Sequence, residues 1–273
     1  MDLDIVVGDW PYDDDEDANN VRKLIGVDGR QKVQLRIRTG LIQWNADGRP
    51  DGRAPHGYPS VLDYCRSLLA QGEALNLAAD RSSNALNSDL VEELAEEMFD
   101  YYRRGRALFL LGDYRRAVSD SVHNLSVLRL IRRHGADVAD AFSYERYRVC
   151  LLLDRARAQM LLNLQAGDVR GAVDALNRGI KEIEDFHSEY ELEQELADSP
   201  ERQILVDLRR SLREKYSVPL TDDELMLSLK VEQEIAIRRE NYEMAARLRD
   251  KINSLRQRAR TPGLTQDQRG APR

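Results

Sequence analysis

Hydrophobic positions along the chain follow two different periods. In the run KVQLRIR, Val33, Leu35 and Ile37 alternate with Lys32, Gln34, Arg36 and Arg38. A period of two predicts a strand with one face buried. The preceding VRKLIGV is a second short strand, and the Asp-Gly step of DGR at 28–30 predicts a hairpin turn between them. Beyond Thr39 the apolar positions change parity, to Ile42 and Trp44. A bulge at Thr39-Gly40 restores both to the buried face, which leaves Arg36 and Arg38 solvated. Without it, Trp44 shares a face with the two arginines, an aromatic and basic surface suited to single-stranded nucleic acid. The loop NADGRPDGRAPHGYP follows, and Ser60 caps a helix through Val61, Leu62, Cys65 and Leu68-Leu69.

The period then changes to that of a helix and repeats. LLGDYRRAVSDSVHNL at 110–125 aligns with QAGDVRGAVDALNRGI at 165–180, each behind an alanine-bearing helix. Val118, Val122 and Leu125 in one copy, and Ala172, Leu176 and Ile180 in the other, mark the expected apolar faces. Helix, Gly-Asp turn and a second helix opening on a small residue resemble tetratricopeptide repeats, which bind peptides in a concave groove. Here 55 residues separate Gly112 from Gly167, against about 34 in that family. With two units, a scaffold whose groove is filled by its own flanking helices is the favoured reading. Ser199-Pro200 starts a further helix carrying Ile204, Leu205, Leu208 and Leu212, SVPLTDDE breaks it, and Thr221-Asp222 caps the next.

The last helical segment reads LTDDELMLSLKVEQEIAIRRENYEMAARLRDKINSL. Its core of aromatic-Glu-x-Ala-Ala-x-Leu-Arg-Asp-x-Ile-x-x-Leu resembles the UVR motif. That motif is a helical hairpin found in the excinuclease subunits UvrB and UvrC, in Clp-type chaperone ATPases and in McsA-type kinase activators. Gln233 departs from the pattern, standing where the family has an apolar residue. In the excinuclease subunits the hairpin is a protein–protein contact, and the resemblance implies the same here. Leu229 and Ala236 on the first helix are the candidate partner-binding residues there. On the second they are Tyr242, Glu243, Ala245, Ala246, Leu248, Arg249, Asp250, Ile252 and Leu255. A hairpin this short has little apolar surface of its own, so a second hairpin is expected to cover it, with Arg249 and Asp250 pairing across the seam.

These readings predict an α+β fold, mostly α. Its parts are an acidic flexible N-terminus at 1–20, a β-hairpin region with its following helix at 21–75 and helical repeats at 88–190. A linking helix at 199–216, the UVR-like hairpin at 221–257 and a disordered tail at 258–273 complete it. Composition agrees: 42% hydrophobic, 33% charged and 6% aromatic residues point to a helix-rich protein. A net charge of −7 and a pI near 5.3 give no global field for nucleic acid or anionic membrane. The acidic start MDLDIVVGDWPYDDDED and the lack of a long apolar run predict a cytoplasmic protein. Cys65 and Cys150, without Cys or His companions, are expected as free buried thiols.

Candidate chemistry is sparse. The histidines His56, His123, His134 and His187 show no metal spacing, and no Walker A sequence is present. The run Asp13–Asp17 is expected to be solvated. No cofactor, metal or catalytic residue is implied. The expectation is a non-enzymatic adaptor docking, through the C-terminal hairpin, a protein with a similar hairpin or a second copy of itself. The alternatives are a DNA-repair accessory factor contacting nucleic acid through the sheet and Arg247, Arg249, Lys251, Arg256, Arg258 and Arg260, and a hydrolase built on His56.

Overall fold

Alternation in the N-terminal region produces a three-stranded antiparallel sheet in the order β1 (Val21–Ile25), β2 (Gln31–Ile37), β3 (Gly40–Asn45). These coordinates are a computed structural model describing residue 5 and residues 7–79, 86–135, 143–196, 198–220 and 222–260. The β1–β2 connection is the Asp-Gly turn read from the sequence, with Gly29 at φ 72°. The β2–β3 connection is not the expected bulge. Ile37 pairs with Gly40, so the chain reverses over Arg38 and Thr39 alone. Reversal places Val33 opposite Trp44 and Leu35 opposite Ile42, which accounts for the change of parity. Trp44 is only 4% exposed, and that removes the aromatic–basic surface. Arg36 is half-buried, and its Nη1 donates to the carbonyls of Ile37 (2.6 Å) and Gly40 (2.7 Å), bracing the turn.

The acidic run is solvated, as expected, with Asp14 to Asp17 exposed, and Asp13 holds it in a turn. Asp13 Oδ1 accepts from the amides of Asp15 (2.8 Å) and Glu16 (3.0 Å), and its Oδ2 accepts from Asn19 Nδ2 (2.6 Å). Asn20, buried, donates to the Asp13 carbonyl and accepts from its amide. A short polar side chain holding its own backbone in this way makes a turn.

Helix α1 (Val61–Ala79) starts at Ser60, whose Oγ accepts from the Asp63 amide at 3.0 Å. Its apolar face, Val61, Leu62, Cys65 and Leu69, enters one core with Val91, Leu94 and Met98 of α2 (Ser88–Leu110) and Val127, Leu128 and Ile131 of α3 (Tyr114–His134). Burial pushes the Cys65 thiol up to about 11, with Glu93 and Glu97 adding to the effect, so this sulfur stays protonated. The second hairpin is α4 (Arg148–Gln165) and α5 (Val169–Glu189). Cys150 on α4 is half-buried. In α5, Ala172, Leu176 and Ile180 are buried as the periodicity predicts.

In α3 the buried face is rotated from the expected one. Val122 is 47% exposed, whereas Asp120, Ser121 and Asn124 lie inside. A buried ion pair explains the rotation. Arg104 of α2, 3% exposed, sends Nε (2.9 Å) and Nη2 (2.6 Å) to the Asp120 carboxylate. Its Nη1 donates to the carbonyls of Asn45 (2.8 Å) and Gly48 (2.7 Å), which ties the loop after β3 to the helices. Glu97, two α2 turns before it, accepts from the amides of Val61 (2.7 Å) and Leu62 (3.2 Å) at the start of α1. The same carboxylate meets His123 (3.0 Å) and Arg49 (3.1 Å). The sheet joins this arrangement through Val21, Val33 and Trp44 packed on Ala107, Leu108 and Ala117, and through a Lys23–Asp113 ion pair of 2.6 Å.

Helix α6 (Glu193–Leu196) is one turn, and α7 (Pro200–Tyr216) then lies along α5. Leu205 and Leu212 of α7 are buried, Leu208 is half-buried, and Ile204 is 42% exposed. Gly179 of α5 permits this approach: a Cβ there would stand 2.5 Å from Ala156 Cβ and 2.9 Å from Leu205 Cδ1. The chain divides into two compact units between Leu212 and Arg213. Among the described residues no helix is long and apolar enough to cross a membrane.

Candidate partner-binding hairpin

The C-terminal unit contains α8 (Asp222–Arg238) and α9 (Tyr242–Arg260), joined over residues 239–241. Thr221, read as part of the cap, and residues 261–273 of the tail lie outside the described residues. The joint closes on backbone hydrogen bonds from Arg239 to Ile235, Glu240 to Ile237 and Asn241 to Ala236. Asn241 then caps α9, its Oδ1 accepting from the Met244 amide at 3.1 Å.

The same joint occurs twice more in the chain. Leu111, Gly112 and Asp113 donate to Ala107, Phe109 and Leu108, and Ala166, Gly167 and Asp168 donate to Leu162, Leu164 and Asn163, at identical offsets. Four residues beyond each capping Asp or Asn stands a buried alanine, Ala117, Ala172 or Ala245. The hairpins differ at the left-handed position: glycine fills it at Gly112 (φ 71°) and Gly167 (φ 76°), and Glu240 (φ 57°) fills it in the third. A side chain is disfavoured there because Cβ crowds the following carbonyl. Glu240→Gly is therefore expected to stabilise the hairpin by about 0.5–1 kcal/mol, the gain being reduced by the freer unfolded chain. Slower amide exchange confined to residues 222–260 would register it.

Of the candidate residues, six form the interior of the hairpin itself. Leu229, Ala236, Ala245, Leu248, Ile252 and Leu255 are each 8% exposed or less and cluster together, with Leu225 and Met226 packed against them. The surface that the sequence left for a second hairpin is thus closed by α8 and α9 on each other, because their stripes at i, i+3, i+4 and i+7 face one another. Gln233 adds a hydrogen bond from Nε2 to the Ala245 carbonyl (3.3 Å), so the polar substitute is accommodated in the seam. Ala246 is half-buried. Arg249 and Asp250 do not pair across the seam. Both face solvent and pair with each other at 3.1 Å, as Glu243 does with Arg247 at 2.6 Å.

What remains open is the end of the hairpin at the joint. Tyr242 is 68% exposed, Ile237 49%, Met244 46% and Ile235 44%. The isoleucines and Met244 were missed because they stand off the apolar stripe. Ile235 and Ile237 flank the buried Ala236, each turned about 100° from it. A signal was nonetheless available: the apolar triplet Ile235-Ala236-Ile237 is wider than one helix face can bury.

His56, the other residue considered for chemistry, holds a left-handed backbone (φ 52°), meets Glu93 at 2.8 Å and stacks on Tyr64 at 4.1 Å. Among the described residues no three His, Cys, Asp or Glu side chains converge as for a metal ion. Neither a curated protein nor a solved structure matches the chain. Residues 223–258 match the family model described as the UvrB/uvrC motif, a stretch that falls within α8, the joint and α9. The chain carries a UvrB/uvrC motif, and the C-terminal hairpin is that motif.

Proposed function

We propose that the protein is a non-enzymatic adaptor whose C-terminal hairpin docks a second hairpin of the same kind, in the first instance that of another copy of the chain. The observation that carries this reading is that Ile235, Ile237, Tyr242 and Met244 stay exposed around the joint while the seam between α8 and α9 is closed. Four exposed large apolar side chains fall within the ten residues from Ile235 to Met244, a density that invites a partner. Charges of both signs, Glu243, Arg247, Arg249 and Asp250, surround the second helix. A two-fold interface needs such a self-complementary surface, since each patch meets its own copy. Tyr242 is the aromatic anchor of the contact. Direct nucleic-acid binding gains no comparable support, because Arg247 and Arg249 are each engaged by a neighbouring acid.

Sedimentation of the full chain, of a chain ending at Val218, and of a variant carrying Ile237→Ser with Tyr242→Ser tests the reading. The full chain is expected to self-associate. The truncation is expected to be monomeric, and the double variant to associate at least about tenfold more weakly. A full chain that stays monomeric at its solubility limit, or a truncation that associates equally, overturns it.

A further inference from the structure

We propose that a cleft in the N-terminal unit, between α2, α3, α4 and the first turn of α7, binds a free α-amino acid with an apolar side chain. Its volume is about 320 Å³, within the size range of small-molecule sites. Opposite charges share this cleft without cancelling. The side-chain carboxylate of Asp154 on α4 makes no hydrogen bond or ion pair among the described residues. The nearby guanidiniums are held elsewhere, Arg106 by the Tyr102 hydroxyl at 3.3 Å and Arg157 over the Phe109 ring at 4.9 Å. Burial pushes the Asp154 carboxyl up, and the two arginines act against that from a distance without closing on it.

A second, independent observation points the same way. Asn124 of α3 lines the cleft and is fully buried, yet neither its amide nitrogen nor its oxygen has a hydrogen-bond partner. Buried carboxamides are almost always satisfied on both atoms. A partner for Asn124 must offer a donor and an acceptor together.

Charge logic selects the ligand. A simple cation would meet Arg106 and Arg157, and a simple anion would meet Asp154 and Glu201. A zwitterion places its ammonium on Asp154 and its carboxylate on a guanidinium, both as charge-assisted hydrogen bonds. Asn124 supplies one further donor and acceptor. Phe109, Leu110, Leu151, Leu153 and Ile204 give the cleft an apolar side, with Ile204 42% exposed. It suits an aliphatic or aromatic side chain.

Calorimetric titration of the full chain with L-leucine and L-phenylalanine tests this, beside N-acetyl-L-phenylalanine and L-phenylalaninamide, which each lack one charge. Saturable binding of an unmodified amino acid is expected, at least about tenfold tighter than of either derivative. Asp154→Asn is expected to lose at least about the same factor with an unchanged melting temperature. Absence of saturable binding overturns the proposal, and so does equal affinity for the derivatives. Because the derivatives are compared on the unaltered protein, the result does not depend on how well the variant folds.

Discussion

Replacing Arg104 by alanine is expected to destabilise the N-terminal unit by about 3–5 kcal/mol, the cost of breaking a buried ion pair from one side. The side chain does four things at once. It forms both halves of a bidentate pair with Asp120, satisfies the carbonyls of Asn45 and Gly48, and lies 4.9 Å from the centre of the Tyr101 ring. Without it, a carboxylate and two carbonyls are left inside without donors. Burial already pushes the Asp120 carboxyl up, and Arg104 opposes this most, ahead of His123. Asp120 is therefore expected to take up a proton in the variant. Urea unfolding followed by far-ultraviolet circular dichroism measures the loss. A double variant, Arg104→Met with Asp120→Leu, is expected to recover much of it, since the partner is then no longer stranded. If the single variant unfolds at the wild-type midpoint, the pair does not hold the loop.

Glu97→Ala is expected to cost a similar amount, about 3–5 kcal/mol, and to act on a different element. Its carboxylate completes the cap that Ser60 begins on α1, receiving the Val61 and Leu62 amides, and it also neutralises Arg49 beside His123. The fingerprint is pH dependence. Burial acts to raise this carboxyl, but the His123 contact and the two amides outweigh burial and leave it below the ordinary glutamate value. A carboxyl lowered by folding stabilises the folded state above the unfolded value, about 4.3. That contribution is lost as the pH falls through the folded value. Stability of the native protein should therefore drop on acidification below about pH 4.3, and Glu97→Gln should flatten that limb of the curve. An acid limb of equal steepness in the variant would assign the loss to other carboxylates.

The elements that the sequence made legible are those with a local cause. The Asp-Gly turn, the Ser60 cap, the paired Gly-Asp joints and the apolar stripe of α5 each depend on residues within a few positions. Non-local causes defeated the pattern. Nothing in Arg38-Thr39 resembles a two-residue hairpin turn, so the reversal looked like a bulge in one strand. Val122 took the place of Asn124 in the expected α3 face because no periodicity reveals that Asp120 will meet Arg104 from another helix. At the candidate site the motif was fully legible, but the role of its residues was not. The apolar stripes identify a seam, and a seam within one hairpin leaves the same pattern as a seam between two.

The contacts that hold the sheet to the helices are long in sequence: Lys23 finds Asp113 across 90 residues, Arg116 finds Asp47 across 69, and Arg104 finds Asn45 across 59. On a ribosome adding about 5–20 residues per second, the strands wait roughly 5–18 s for the surface they pack on. Throughout that interval Val33 and Trp44 have no cover, on a three-stranded ribbon with two unpaired edges. The three strands are thus adhesive until α3 has emerged, and they are a segment a chaperone has reason to hold.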